Sequence, residues 1–199
     1  MSDFFSDSMR RVQDRYEGRA VADRLEQHRM RRAFNDDDRR FIESVSFFFI
    51  ATASAHSVDC SFKGGAPGFV CVTGENTLAW PDYDGNRMYS TLGNIEECPR
   101  IVLLFISFDG TLYNNALRLR INGRAKFDDE AEAIDSLPGA KLLVRVTADH
   151  IFTNCPRYIP KLEQEEASEH VPAEVYTPPD PTWKSMPFVK DLFEAEKDR

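Results

Sequence analysis

One stretch of the chain, residues 117–127, alternates so regularly that it dictates its own local structure. Successive side chains of a β-strand point to opposite faces, whereas a helix repeats about every 3.6 residues. The stretch therefore predicts a strand with one apolar face and one cationic face, in a sheet that is covered on the apolar side. The apolar positions are Leu117, Leu119, Ile121 and Ala125, and the polar positions between them are Arg118, Arg120, Asn122 and Arg124.

Further short apolar segments, bounded by Gly, Pro, Asn and Ser, predict additional strands. Residues 74–76 join two of them as a hairpin, and the uninterrupted apolar segment 101–107 is expected to be buried on both faces. Six or more strands with short turns and few helices predict a mainly β chain that forms a small barrel. The predicted strands are 47–53, 59–63, 69–73, 77–80, 101–107 and 141–146, the last continuing to about 152.

Helical patterns flank these strands. Residues 9–34 place apolar side chains near one face and predict one helix, which contains eight Arg between Arg10 and Arg32. Two interpretations stay open: a solvated surface helix with internal charge pairs, or an arm that covers a partner subunit. A second helix is predicted to begin at the N-cap Asn35, whose three following Asp residues favour a helix start, and to end near Ser46.

The composition changes again after Pro160, where Glu, Pro and Asp dominate. We interpret this region as an extension with a short helix at residues 187–197. The predicted organisation has a helical N-terminal extension, a barrel domain, and an acidic, Pro-rich extension that packs on the same domain or on its partner. The three parts cover residues 1–34, 35–160 and 161–199.

Composition excludes several classes of function. The 199 residues carry a net charge of −8, whereas a general nucleic-acid binder carries a basic footprint. No apolar run approaches the roughly 20 residues of a membrane span, and the charged N-terminus lacks the apolar stretch of a signal peptide. The cysteines are far apart and form no CxxC, so we expect no metal site and free thiols in a reducing cytoplasm. They are Cys60, Cys71, Cys98 and Cys155.

The most informative segment is WPDYDGNRM at residues 80–88. It lies between a predicted strand and a predicted helix in which Asn86 is the N-cap and Met88, Leu92 and Ile95 share a face. Backbone N–H groups at such a helix start, with Arg87 beside them, form a natural phosphate site. A purely structural cap produces the same pattern, so both interpretations stay open.

Two other features have equally open interpretations. The cationic face around Arg118 suits either solvent or a groove that holds an anion. The glycines that follow Lys63 allow a flat ring to approach the backbone, or serve a loop with positive φ. No GxSxG, Walker loop or GxGxxG occurs, so hydrolase and nucleoside-triphosphatase functions lack a motif.

Taken together, these motifs resemble the pyridoxamine 5′-phosphate oxidase-related, FMN-binding flavoproteins. The resemblance extends over roughly residues 34–160, with the motifs in the order that this family has. The matching segments are FFFIATA (47–53), SFKGGAPGF (61–69), PDYDGN (81–86), STLGNI (90–95), LRLRINGRA (117–125) and NCPRYI (154–159).

The resemblance implies a six-stranded split β-barrel, a homodimer, and one FMN in each of two clefts at the subunit interface. Asn86 and Arg87 correspond to the basic pair that holds the phosphate in the oxidase, and Arg118 to a polar residue that reaches the flavin ring. Arg157 and Tyr158 are candidates for the residues of the second subunit that complete each site. The implied cofactor-binding residues are Cys60, Ser61, Phe62, Lys63, Trp80, Pro81, Asn86, Arg87, Arg118 and Arg157.

The chain also departs from the oxidase pattern. Asn86 replaces an arginine, and the oxidase's C-terminal substrate-recognition segment has no counterpart in the tail. We therefore expect an FMN-dependent oxidoreductase that transfers hydride at flavin N5 to or from an unidentified small molecule, with NADH or NADPH as a candidate reductant. No catalytic side chain is identified. The alternative is a non-catalytic module that binds FMN, a deazaflavin or haem.

Overall fold

A computed structural model describes residues 3–110, 118–129, 134, 137–162 and 166–197. The described residues contain seven strands in one antiparallel sheet, so the chain is mainly β with flanking helices, as predicted. This is one strand more than the six that the family resemblance implies, and the third strand is only two residues long. The strands are β1 (Phe47–Ala53), β2 (Val58–Gly64), β3 (Cys71–Val72), β4 (Thr77–Tyr83), β5 (Arg100–Ile106), β6 (Arg118–Asp128) and β7 (Ala140–Asn154).

The strand order β2-β1-β5-β6-β7-β4-β3 places β2 at one edge and β4 beside the other. The sheet nevertheless curls until these two strands meet. Lys63 of β2 forms an ion pair with Asp82 of β4 at 2.7 Å, and the rings of Phe48 and Trp80 lie 5.0 Å apart inside the curl. The concave side of the sheet therefore encloses the core.

The alternating stretch forms β6, as predicted. Leu119, Ile121 and Ala125 are buried in the core, where each fully buried Leu or Ile contributes about 1.5–3 kcal/mol. The arginines at the positions between them lie on the convex face. Leu117, the first position of the predicted alternation, lies outside the described residues.

The prediction that the apolar segment 101–107 is buried on both faces was wrong for the single chain. Its strand, β5, alternates between buried and half-buried residues. Leu103 and Phe105 face the core, whereas Val102 and Leu104 lie on the convex face and are partly exposed. The convex face of β5 is therefore apolar without being covered.

Five α-helices flank the sheet within the described residues. The predicted terminal helix forms three residues later than expected, after a 3-10 helix at Thr182–Ser185. No described helix has both the length and the apolar character that crossing a membrane requires. The helices are α1 (Asp7–Arg15), α2 (Arg19–Arg29), α3 (Asp36–Ser44), α4 (Ser90–Glu97) and α5 (Lys190–Lys197).

The single helix predicted for residues 9–34 was wrong, because the chain breaks between α1 and α2. Glu17 adopts a left-handed conformation with φ of 55°. Its N–H donates to the carbonyl of Asp14, and the N–H of Gly18 donates to the carbonyl of Gln13. This pair of bonds is a Schellman motif, which ends α1 and reverses the direction of the chain.

The predicted start of α3 is confirmed. Asn35 Oδ1 accepts a hydrogen bond from the N–H of Asp38, and the Asp38 carboxylate accepts one from the N–H of Asn35. Asp38 is fully buried and pairs with Arg31 at 2.5 Å. Desolvation raises the Asp38 pKa above its ordinary value in spite of that pairing. The capping box thus fixes the residue at which α3 begins.

Candidate functional site

The junction of β2, β4 and the start of α4 brings together several of the predicted site residues. Lys63 and Asp82 form the ion pair described above, and both side chains are largely buried. Pro81 is buried next to Asp82. Trp80 is 1% exposed and packs inside the core. A ligand would therefore contact the backbone of residues 80–81 rather than their side chains.

A network of hydroxyl groups and a carboxylate ties α4 to β2 at this junction. One oxygen of Asp59 accepts hydrogen bonds from Ser61 Oγ and from Thr91 Oγ1, each at 2.8 Å. The two hydroxyl oxygens lie 2.9 Å apart. Deeper in the same contact, Asn94 donates to Thr52 Oγ1 at 3.1 Å. The network holds the first turn of α4 against the β1–β2 hairpin.

The loop before α4 differs from its prediction. The helix begins at Ser90, so assigning Asn86 as the N-cap was wrong. Asn86 Oδ1 instead accepts from the N–H of Met88 at 3.0 Å, which makes a local turn. Arg87 and Tyr89 both have left-handed backbone conformations, with φ of 59° and 54°. Non-glycine residues rarely adopt this region, so the surrounding structure must hold the loop in place.

The predicted apolar face of this helix was also only partly right. Leu92 and Ile95 are buried against the sheet, as predicted. Met88 precedes the helix and is 74% exposed. It cannot share their face, because the left-handed Tyr89 turns the chain between it and the helix.

The C-terminal segment supplies the contacts that hold this loop. The Arg87 guanidinium lies 4.6 Å from the centre of the Phe193 ring, a cation–π contact. Lys184 Nζ lies 2.5 Å from Asp84 Oδ2, and this hydrogen bond is the main cause of the raised pKa of Lys184. Phe193 also packs on Trp183, with ring centres 5.3 Å apart. The predicted phosphate-binding arginine, which is exposed, is thus contacted by a segment about 100 residues away in the sequence.

The other predicted residues of β2 lie on its opposite face. Since side chains alternate along a strand, Cys60 and Phe62 point to the convex side, away from Ser61 and Lys63. Phe62 is 61% exposed and stacks on Phe47, with ring centres 5.3 Å apart. It belongs to a convex aromatic patch that we define as Phe47, Phe49, Phe62 and Phe108.

Arg118 and Arg157 lie together at the end of the sheet where β6 begins and β7 finishes. Arg118 donates from its guanidinium to the carbonyl of Cys155 at 2.8 Å. A backbone hydrogen bond from Arg157 lowers the pKa of the Cys155 thiol, and the charges of Arg157 and Arg118 lower it further. Tyr158 has φ of 67° and an exposed ring. This cationic end is convex, like the aromatic patch.

The single chain therefore collects the predicted residues into two groups. Ser61, Lys63, Pro81 and the 86–87 loop surround the start of α4, whereas the other group lies on the convex face. Cys60, Phe62, Arg118 and Arg157 form that second group. Strand β2 belongs to both groups, and among the described strands none pairs with its outer edge.

Sequence reasoning missed three residues of the junction. Asp59 lies in the predicted strand 59–63 and Thr91 in the recognised motif STLGNI, but their hydrogen bond links positions 32 residues apart. Phe193 lies in the tail, where no local pattern points to Arg87. Alternation on β2 would have placed Asp59 on the face of Ser61 and Lys63.

Comparison with solved structures gives distant similarities. HupZ of Group A Streptococcus is 14% identical, with 65% of this chain and 100% of that chain covered and a TM-score of 0.45. An FMN-binding protein from Syntrophomonas wolfei subsp. wolfei is 15% identical, with 71% and 94% covered and a TM-score of 0.40. A FAD-binding protein from Mesorhizobium loti is 10% identical, with 61% and 94% covered and a TM-score of 0.39. No curated protein matches the chain significantly.

The sequence itself gives the decisive comparison. The family model for pyridoxamine 5′-phosphate oxidase matches residues 34–177, most of the chain. The match begins just before α3 and runs through all seven strands of the sheet. It includes the junction of β2, β4 and α4 as well as the cationic end of β6 and β7. On this evidence the chain belongs to the pyridoxamine 5′-phosphate oxidase family.

Proposed function

We propose that the protein is a flavoprotein that binds FMN and works as an oxidoreductase on a small molecule. The family match over residues 34–177 carries this proposal. Bound FMN would supply reversible hydride transfer at its N5 atom. The proposed substrate is an unidentified small molecule, and the candidate reductant is NADH or NADPH.

The residues at the junction suit the phosphate of FMN. Lys63 and Arg87 provide two cations, and Ser61 and Thr91 provide two hydroxyl groups beside the start of α4. Charge-assisted hydrogen bonds of this kind hold phosphate groups strongly. Asp82 balances Lys63 when no anion is present, so binding would exchange one partner of the lysine for another.

The ring end of the cofactor would meet a different part of β2. The unpaired outer edge of β2 offers backbone N–H and C=O groups to the amide-like edge of a flavin. Arg118 and Arg157 would stabilise negative charge on that edge, as the resemblance implies for Arg118. The segment at 60–63, the backbone of Trp80 and Pro81, and the 86–87 loop complete the proposed site.

We also propose a homodimer of split β-barrels with the cofactor at the interface. The convex aromatic patch and the half-buried Val102 and Leu104 form an apolar surface next to Arg118. A surface of this kind is typical of a protein–protein interface. The helical segment 1–34 and the tail 161–199 are proposed as extensions of the domain at 35–160. Four unpaired cysteines support a cytoplasmic location.

Equilibrium FMN binding by the Arg87→Ala variant tests the site. Loss of a charged hydrogen bond costs about 1.5–3 kcal/mol, so the Kd should rise at least about tenfold. Arg24→Ala, an exposed arginine of α2, is the matched control and should bind FMN like the original protein. Equal Kd values for the two variants would refute the phosphate role of Arg87.

Anaerobic mixing of the FMN-loaded protein with NADH or NADPH tests the proposed activity. Bleaching of the flavin absorption at a saturable rate is the expected result. A bound flavin that neither nucleotide reduces would favour the non-catalytic binding module.

A further inference from the structure

The convex face carries a second cationic region at the far end of β6 from Arg118. An open cavity of about 380 Å³ lies there over β4, β6 and β7. Cations and threonine hydroxyls line it, although the chain as a whole has a net charge of −8. The polar lining residues are Arg124, Lys126, Arg145, Thr73, Thr77 and Thr147.

The strand register places like charges directly opposite each other at this cavity. Lys126 of β6 is the partner of Arg145 of β7, and Arg100 of β5 is the partner of Arg124 of β6. Residues in such pairs have Cβ atoms about 4.5–5.5 Å apart, and like charges there destabilise a sheet. The pair of which both members line the cavity, Lys126 and Arg145, is a cost that a bound anion would remove.

Only one of these cations has a carboxylate partner in the described part of the chain. Arg124 pairs with Asp149 at 3.0 Å. No carboxylate among the described residues lies within ion-pair distance of Arg100, Lys126 or Arg145. Within the residues that the structure describes, no carboxylate therefore relieves the repulsion between Lys126 and Arg145.

The lining selects the chemistry of the ligand. Guanidinium groups bind phosphate or carboxylate in a bidentate manner, and threonine hydroxyls add further donors. A volume of about 380 Å³ is within the usual range of small-molecule sites, about 300–1,000 Å³. Arg118 and Arg124 are six residues apart on β6, roughly 20 Å at a rise of about 3.3 Å per residue. The cavity is thus separate from the Arg118 end of the proposed flavin site, and none of its lining residues belongs to that site.

We propose that this cavity binds a multivalent oxyanion, the phosphoryl or carboxylate groups of a small molecule, between Lys126 and Arg145. The proposal does not depend on the flavin, because it rests on the register and lining of β4, β6 and β7. Binding stabilises the sheet, because the anion neutralises a repulsive cross-strand pair.

Thermal unfolding and calorimetric titration test the proposal with pyrophosphate, inorganic phosphate and citrate, against sodium chloride at equal ionic strength. At least one of the three anions should raise the Tm saturably, beyond the effect of chloride. Arg145→Gln and Lys126→Gln should weaken that anion's binding by at least roughly tenfold. Pyrophosphate or phosphate as the active anion assigns a phosphoryl ligand, and citrate alone assigns a carboxylate ligand.

The stability of the same variants in chloride alone is a second readout. It should not fall, although anion binding by these variants weakens. In chloride alone, Arg145→Gln should be at least as stable as the original protein, since it removes a repulsive pair. Arg15→Gln, an exposed arginine of α1, is the matched control and should keep the full anion response. A variant that is less stable in chloride and still responds fully to the anion contradicts the proposal.

An Arg87→Gln variant separates this cavity from the proposed flavin site, since FMN also carries a phosphate. The anion response should persist in Arg87→Gln. A response lost in Arg87→Gln but kept in Arg145→Gln would assign the anion to the flavin site and overturn the proposal. No saturable response beyond chloride for any of the three anions would also overturn it.

Discussion

Asp3 fastens the N-terminal segment to the convex face of the sheet. Its carboxylate accepts a hydrogen bond from Arg32 and lies 3.2 Å from His150 Nε2. The neighbouring Phe4 ring packs on the rings of His150 and Phe152, at 5.2 and 5.4 Å between centres. The hydrogen bond from Arg32 is the main reason why the Asp3 pKa is lowered from 3.8 to about 2.

Replacing Arg32 with Gln should return the Asp3 pKa most of the way towards 3.8. Because the pKa is lowered on folding, ionised Asp3 stabilises this attachment above pH 3.8, and the contribution is lost as the pH falls through about 2. A carbon-13 NMR titration of the Asp3 carboxyl in both proteins measures the shift. An unchanged Asp3 pKa in the variant would mean that Arg32 is not its partner in solution.

Two asparagines show what can be predicted from sequence at the scale of single residues. Asn35 was correctly identified as an N-cap, because the partner that completes its capping box is Asp38, three residues away. Asn86 was wrongly identified as an N-cap, because the left-handed loop around it is held by remote residues. Lys184 pairs with Asp84, and Phe193 packs on Arg87. Those contacts join remote segments, and no local pattern encodes them.

At the scale of elements, one glycine sets the geometry of the β6–β7 pair. The register shifts between Asn122 and Gly123, as at a β-bulge. A Cβ on Gly123 would lie 2.4 Å from the carbonyl oxygen of Thr147 and 3.1 Å from Ala148 Cα. Both of these atoms are backbone, so the close approach cannot be relieved by a change of side-chain rotamer.

Gly123→Ala should therefore destabilise the protein by at least about 2 kcal/mol. Gly93→Ala is the matched control, because a Cβ on Gly93 meets nothing within 4 Å and the residue lies inside α4. It should stabilise the protein by up to about 1 kcal/mol, since Ala favours a helix over Gly. Urea unfolding gives both free energies. A small effect of Gly123→Ala would show that the bulge can relax.

The strands were easier to predict than the long N-terminal helix for a physical reason. Period-two alternation over 117–127 has no helical interpretation, and its pairing with β5 and β7 reinforces it. The apolar spacing over 9–34 continues through Gly18 without a change of period. Only the left-handed Glu17 ends the first helix there, and a glutamate is not a usual signal for that conformation.

At the scale of the whole molecule, the curl of the sheet could not be predicted from any single strand. The ion pair between Lys63 and Asp82 joins strands that are far apart in the sheet order. Through this ion pair, one face of β2 borders the α4 junction. The other face of β2 carries the aromatic patch. The candidate residues were therefore recognised from motifs, but their division between two faces needed the structure.

The convex aromatic patch is the surface through which we expect two chains to associate. Phe62→Glu should raise the dissociation constant of the proposed dimer at least about tenfold, since buried aromatic residues dominate interface energies. Because Phe62 is 61% exposed in the single chain, the variant should still fold. Tyr16→Glu, at an exposed aromatic position after α1, is the control. Sedimentation equilibrium measures both, and equal dissociation constants would place the interface elsewhere.

Sedimentation velocity of the FMN-saturated protein, recorded at both the flavin and the protein absorption, tests the proposed flavin-binding homodimer. An FMN-binding homodimer should sediment with flavin and protein together, at a mass about twice the 22.8 kDa of one chain and with about one FMN per chain. Flavin that stays behind as free ligand while the protein sediments colourless, as a single 22.8 kDa chain, would contradict it.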